Sequence, residues 1–199
     1  MEPADSPLEE HLRGHLHAVL ERRAAQAGVL DVAYRTVDSP LGSLLLAATE
    51  VGVVRIAFER QDHDAALDEL ARVVSPRVLR APARLDGTAR ELEEYFEGHR
   101  TGFDVPVDLT LAGGFRLAVL DVLRRIGFGA TLSYAGVAER AGSPRAVRAV
   151  GTACARNPVP LVVPCHRVVR SDGSVGEYAG GPQAKRLLLA LERGAKVGG

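Results

Sequence analysis

Apolar residues recur at helical spacing near the start of the chain. Leu8, Leu12, Leu16, Val19 and Leu20 share one face, which predicts an amphipathic helix within residues 7–27, followed by a turn at Gly28. From Asp31 the pattern changes to that of strands. Residues 31–37, 43–49 and 53–58 read as strands, with a turn at Ser39-Pro-Leu-Gly42. Residues 63–75 and 86–98 return to a helical period. Ala65, Leu67, Leu70 and Val73 are expected to turn inward in the first, and Leu92, Tyr95 and Phe96 to anchor the second. The segment predicts a small α+β domain ending near Asp108, with a boundary at Gly113-Gly114.

Beyond that boundary the chain is mainly helical. Residues 115–126 carry an apolar stripe at 115, 119, 120, 123 and 126, broken by Gly127–Gly129. Ser133 is placed to cap a short helix over 134–141, which Gly142 closes. Ser143 and Pro144 fit the cap and first turn of a second helix over 144–155. Helix, glycine turn, helix is the outline of a helix-turn-helix, a weak signal alone. The second helix offers small residues at Ala146, Ala149, Gly151 and Ala153, with Arg145, Arg148 and Arg156 projecting. Such a face suits tight helix packing or close approach to a DNA groove. Residues 161–163 read as a buried strand or extended segment, 167–178 as a hairpin or looped excursion, and 183–193 as a helix.

Composition narrows the classes. The 199 residues are 46% hydrophobic and 25% charged, which excludes a disordered chain, a collagen-like repeat and a coiled coil. No apolar run reaches the ~18 residues of a membrane helix, and the N-terminus does not read as a secretory signal. Two cysteines without a Cys-x-x-Cys pair make no disulfide framework, so a reducing cytoplasm is expected. The formal charge is zero, yet residues 1–110 carry 12 Lys and Arg against 20 Asp and Glu, and residues 111–199 carry 13 against 5. A basic C-terminal part suits a polyanion such as nucleic acid, and equally suits attraction between the halves.

The chemistry-bearing residues concentrate after Asn157. Cysteine reacts as thiolate and needs a base or cation nearby. Cys165 adjoins His166, but neighbours on an extended chain point apart, so only a turn there could pair them. A lone buried cysteine is more often structural. Gly180-Gly181-Pro182 lacks the Lys-Ser/Thr ending of a phosphate loop, which argues against nucleotide hydrolysis.

The run Asn157-Pro-Val-Pro-Leu-Val-Val-Pro-Cys-His-Arg-Val-Val169, with Gly176-Glu-Tyr-Ala-Gly-Gly181 and Lys185 through Glu192, resembles the active-site region of the O6-alkylguanine-DNA alkyltransferases. The likeness extends to Thr131-Leu-Ser-Tyr134 and Arg145-Ala-Val-Arg-Ala-Val-Gly151, covering residues 113–193 closely and 31–108 by element order. It implies an α+β fold: a ribonuclease-H-like α+β domain over 31–110 and a mainly helical DNA-binding domain with a helix-turn-helix over 111–199; the helical extension over 1–30, read from its apolar spacing, has no counterpart in the family. The implied activity is single-turnover repair. Cys165 accepts the alkyl group of O6-alkylguanine, and O4-alkylthymine is a second candidate substrate.

The resemblance also implies roles. His166 is base through a water, and Glu192 orients it. Tyr134 donates to the guanine ring, Asn157 holds the turn under Cys165, and Lys185 stands near the leaving oxygen. The carbonyls of Cys165 and Val168 read the exocyclic amine. Tyr178, Ala179 and Gly180 belong to the base pocket, with 176–181 as its lid. Arg148 is the finger that replaces the flipped base, and Arg145, Ala149 and Gly151 meet the minor groove of double-stranded DNA. No cofactor, metal or membrane is expected, and the protein is expected to act as a monomer.

Some positions depart from the family pattern. Leu120 stands where many members have tryptophan, and Ala179 where some have serine. No cysteine precedes Cys154, so the structural zinc of some relatives is not expected, nor is a metal at His11, His15 and His17. Cys154 reads as a packing residue. Two alternatives stand beside repair: a non-catalytic lesion sensor or helix-turn-helix regulator on the same scaffold, and a cysteine hydrolase, which lacks an oxyanion motif.

Overall fold

The structure, a computed structural model, describes residues 30–194 continuously, and before them the helical positions Leu16, Val19 and Arg23. The rest of the helix expected over 7–27 lies outside the described residues.

The N-terminal sheet has strands β1 (Val32–Val37), β2 (Leu44–Ala48), β3 (Val53–Phe58) and β4 (Val78–Arg80), in the order β3-β2-β1-β4. β1, β2 and β3 form an antiparallel meander, and β4 adds parallel to β1. Every residue of β2 is buried, because both faces of the sheet are covered. Helix α1 (His63–Val73) covers one face, where Leu70 meets Val32, Ala47 and Val54. The Asp62 side chain caps α1 by accepting from the amides of Asp64 and Ala65. Helix α2 (Asp86–Phe96) and the C-terminal helices cover the other face. One cluster there joins Leu44, Ile56 and Phe58 of the sheet to Tyr95 of α2 and to Leu120, Val150 and Leu188. The sheet domain and the helical part thus share one core.

The C-terminal part holds α3 (Phe115–Arg124), α4 (Tyr134–Arg140), α5 (Val147–Ala155) and α6 (Gly181–Glu192). Ser133 caps α4 by accepting from the Gly136 amide at 3.0 Å, as its position predicts. A two-stranded parallel ladder joins β5 (Leu132–Ser133) to β6 (Val168–Val169).

Several expectations need correction. In α1, Ala66 and Leu70 are buried, whereas Ala65 is exposed and Val73 is 51% exposed. Leu67 and Leu70 turn inward as expected, while Ala66 takes the inward place expected of Ala65. Helix α5 starts at Val147 rather than 144, and Ser143 does not cap it. The Ser143 carbonyl accepts from Ala146 instead, closing a turn that delays the helix. Residues 161–163 are no strand. They form a buried turn in which Leu161 has φ +75°, and the Val163 amide donates to Val159 O. Of the two readings of 167–178, hairpin or looped excursion, the structure has the second: Val168 and Val169 pair with β5, and a loop follows them.

Candidate active site

The 161–163 turn is what presents Cys165. Asn157 is buried and organises it, its amide donating to Val163 O at 2.7 Å and to Cys165 Sγ at 3.1 Å, its oxygen accepting from the Val159 amide. The Ile56 amide donates to Pro158 O, which ties this turn to β3. Cys165–Arg167 then forms a 3₁₀ turn. No hydrogen bond joins Sγ to the imidazole among the described residues.

Helix α6 brings the second half of the site. Lys185 and Glu192 lie seven residues apart, two helical turns, so they share a face about 10 Å apart along the axis. Leu188 lies between them on that face, with no exposure.

At one end sits the Glu192 carboxylate, 5% exposed and surrounded by donors. His166 Nε2 lies 2.9 Å from Oε1. The Arg167 guanidinium donates to both oxygens, with Nη2 2.8 Å from Oε1 and Nε 2.9 Å from Oε2. The Tyr95 hydroxyl donates to Oε1 at 2.7 Å, and the Gly129 amide to Oε2 at 3.0 Å. Gly129 has φ +73°, and a Cβ there would stand 3.0 Å from the Glu192 carbonyl, so glycine permits this approach. Burial alone would raise the carboxyl, but the bonds from His166 and Arg167 outweigh it and hold its pKa down to about 2. Glu192 is therefore an anion at neutral pH.

At the other end Lys185 is fully buried, with Nζ 5.6 Å from the centroid of the Tyr134 ring. Burial lowers its pKa, against the opposing pull of Cys165 and Cys154. Burial also pushes the Cys165 thiol up to about 11, although Asn157 and Lys185 oppose it. The Tyr134 hydroxyl is pushed up to about 12, first by burial and then by the two thiols. Tyr178 meets His166 edge to face at 6.2 Å between ring centroids, and Phe58 of β3 at 5.4 Å. Three polar atoms here are buried without a hydrogen-bond partner: His166 Nδ1, Tyr178 Oη and Lys185 Nζ.

The residues expected to form the lid and to face DNA lie around this pocket. Residues 176–181 pack against it through Tyr178, Gly176 and Gly180. A Cβ at Gly176 would sit 2.5 Å from the Tyr134 hydroxyl, and one at Gly180 would sit 2.8 Å from the Phe58 ring. Ala179 is half-buried, Val168 is buried, and the Val168 amide donates to Cys165 O. A cavity of about 400 Å³ opens beside this lid, lined by Tyr134, Val147, Arg148, Gly151, Arg170 and Gly176 among others. Arg145, Arg148 and Ala149 are exposed on α5 and the turn before it, and Gly151 is half-buried. Ala153 departs from the expected open face: with Val150 and Cys154 it packs into the core. Cys154 is a buried free thiol, as a packing residue should be.

The sequence reading did not single out Arg167, Gly129, Tyr95 or Phe58 for this site. Tyr95 was legible only as an apolar anchor. The signal lay in its hydroxyl, since a buried tyrosine needs a partner where phenylalanine would not.

A sheet domain joined to a helix-turn-helix part, with a buried thiol backed by a histidine–carboxylate pair, is the class that fold and site define. Two sequence models of the 6-O-methylguanine DNA methyltransferases match: the ribonuclease-like domain over residues 32–109 and the DNA-binding domain over 114–194. A methylated-DNA–protein-cysteine methyltransferase of Mycolicibacterium paratuberculosis is 38% identical over 81% of this chain and 93% of its own. The constitutive one of Bacillus subtilis is 37% identical over 80% of this chain and 94% of its own. The Mycobacterium tuberculosis OGT solved in complex with DNA superposes with a TM-score of 0.72 at 36% identity, covering 82% of this chain and 94% of that one. The chain belongs to the O6-methylguanine DNA methyltransferase family.

Proposed function

We propose that the protein repairs alkylated DNA by direct reversal, moving the alkyl group from guanine O6 to Sγ of its own Cys165. The observation that carries this assignment is the set of buried, unpartnered polar atoms around a buried thiol: His166 Nδ1, Tyr178 Oη and Lys185 Nζ. Orphaned buried polar groups cost stability, so a protein retains them where a ligand completes them. A guanine supplies the matching acceptors and donors.

The chemistry follows from the histidine's orientation. Glu192 is an anion and can only accept, so Nε2 carries the proton and Nδ1 keeps its lone pair. At pH 7 a thiol of pKa about 11 is only about one part in ten thousand thiolate. A base must therefore act during the reaction. The Cys165 proton passes through a water to His166 Nδ1, and Glu192 stabilises the imidazolium. Sulfur attacks the alkyl carbon in line, the carbon–O6 bond breaks, and its electron pair leaves with guanine. Tyr134 and Lys185 offset that charge, and the proton ends on the base. The thioether has no leaving group, so each chain works once.

DNA meets α5. Arg145, Arg148 and Ala149 stand exposed, Arg148 and the half-buried Gly151 line the cavity, and the small side chains at 149 and 151 let the helix come close to the minor groove. Cys165 is 1% exposed, so the base is flipped out and residues 176–181 shift off Tyr134 to admit it. Arg148 fills the vacated stack. The catalytic set comes from one chain, which supports action as a monomer, and two free thiols suit a reducing cytoplasm. A lesion sensor has no use for a nucleophile held by Asn157 beside an oriented base.

The test is Cys165→Ser with a duplex containing O6-methylguanine. The variant should bind the duplex as the wild type does and transfer nothing. Methyl transfer by the variant would overturn the assignment of the acceptor.

A further inference from the structure

Glu192 and His166 belong to the helical part, but the Tyr95 hydroxyl that reaches their carboxylate–imidazole pair comes from α2 of the sheet domain, 97 positions before Glu192. Tyr95 has no exposure. Its ring is boxed by Phe96, Phe103 and Phe128 at centroid distances of 5.5, 5.2 and 6.2 Å, so the direction of its O–H is fixed. A phenylalanine would fill that box equally well, without a hydroxyl to desolvate.

Which oxygen Tyr95 meets is the informative point. Oε2 takes the Gly129 amide and Arg167 Nε. Tyr95 donates to Oε1, the oxygen that also holds His166 Nε2. Two donors on one oxygen compete for its charge: what the phenol draws off, the imidazole does not receive. Arg167 reaches that oxygen too, with Nη2 at 2.8 Å and Nε at 3.1 Å, but its guanidinium spans both oxygens and so fixes the carboxylate plane. The phenol acts on one oxygen only.

We propose that Tyr95 is a positioning residue for alkyl transfer, through which the sheet domain holds the Glu192 carboxylate against His166 and limits how strongly that carboxylate favours the imidazolium. The proposal rests on the function proposed above, in which neutral His166 is the base for Cys165. His166 is flanked in the chain by Cys165 and Arg167; the groups that act on its ring are Arg167 on its own turn, Lys185 and Glu192 on α6, and Tyr178 from the 176–181 segment. Burial keeps Tyr95 protonated, so it remains a donor throughout the working range. Burial lowers the basicity of His166, and Glu192 raises it. Without the phenol, Oε1 carries more charge and holds the imidazolium more tightly. His166 then gains a proton at higher pH, and the base is lost sooner as the medium is acidified.

The experiment measures the second-order rate of methyl transfer from an O6-methylguanine duplex by full-length protein, from about pH 8 downward to the lowest pH at which the protein stays folded, because burial lowers the pKa of His166. In the wild type the rate falls on the acid side as His166 is protonated. In Tyr95→Phe that acid limb lies higher by about 1 in pH, so that below it the rate is roughly tenfold lower than in the wild type. With 3-fluorotyrosine at position 95, an almost isosteric and stronger donor, the limb moves the other way, and this variant decides the matter if Tyr95→Phe is unstable. In a Glu192→Gln background Tyr95→Phe has no further effect on the limb. A uniform loss of rate at every pH, or a limb that stays put with fluorotyrosine, overturns the role of Tyr95. A wild type that transfers nothing would instead overturn the proposed function.

Discussion

A lysine amine costs free energy when buried without a partner, and Lys185 Nζ is in that position beside the Tyr134 ring. Lys185→Met keeps the length and apolar stem of the side chain and removes the unsatisfied charge. The variant should gain about 1–3 kcal/mol in thermal or denaturant unfolding, while its methyl-transfer rate falls at least about tenfold. Equal stability together with wild-type transfer would show that the amine is satisfied elsewhere and idle in the reaction. Lys185 was legible as a site residue through the family resemblance alone. Arg167 and Tyr95 were not, because a cation beside His166 and an aromatic ring on an amphipathic helix read as ordinary surface and ordinary core. What reveals them is a carboxylate 25 and 97 positions away, a relation that no local pattern encodes.

In the function proposed above, helix α5 carries the DNA contact. Its inner face, Val150, Ala153 and Cys154, packs into the core, and its outer face exposes Arg148 and Ala149. Arg148→Ala should slow repair of a methylated duplex by roughly tenfold to a hundredfold, since flipping costs a few kcal/mol, and leave reaction with free O6-methylguanine base unchanged. Equal loss on both substrates would remove the finger role. The strands and helices of the sheet domain were largely visible from periodicity, because amphipathic elements write their own pattern. Short β4 was not, since Val78–Arg80 is three residues pairing at the sheet edge. The start of α5 was misplaced because Ser143 and Pro144 fit a helix N-terminus as well as they fit the turn they make. The 161–163 turn looked like a strand because its apolar residues are buried whatever their backbone does. Its geometry depends on Asn157, whose side chain satisfies Val159 and Val163.

At the scale of the whole molecule, one core spans both parts, so events at the site reach the entire fold. Cys165 is 1% exposed and accepts a hydrogen bond from Asn157. An added methyl must enter packed surroundings and displace that contact, which costs about 1–3 kcal/mol. The alkylated protein should melt several degrees lower, about 2–4 °C for each kcal/mol lost. An unchanged or higher melting point would show that the pocket already holds room for the group. Beyond the fold lies the one event on which the account depends, the irreversible arrival of carbon on a single sulfur. Intact-mass measurement after exposure to excess O6-methylguanine duplex, followed by peptide mapping, tests it directly. The account predicts a gain of one methyl group per chain, located on the peptide containing Cys165, and no further gain with time or added duplex. No gain, a methyl on another residue, or release of product beyond one per chain would contradict it.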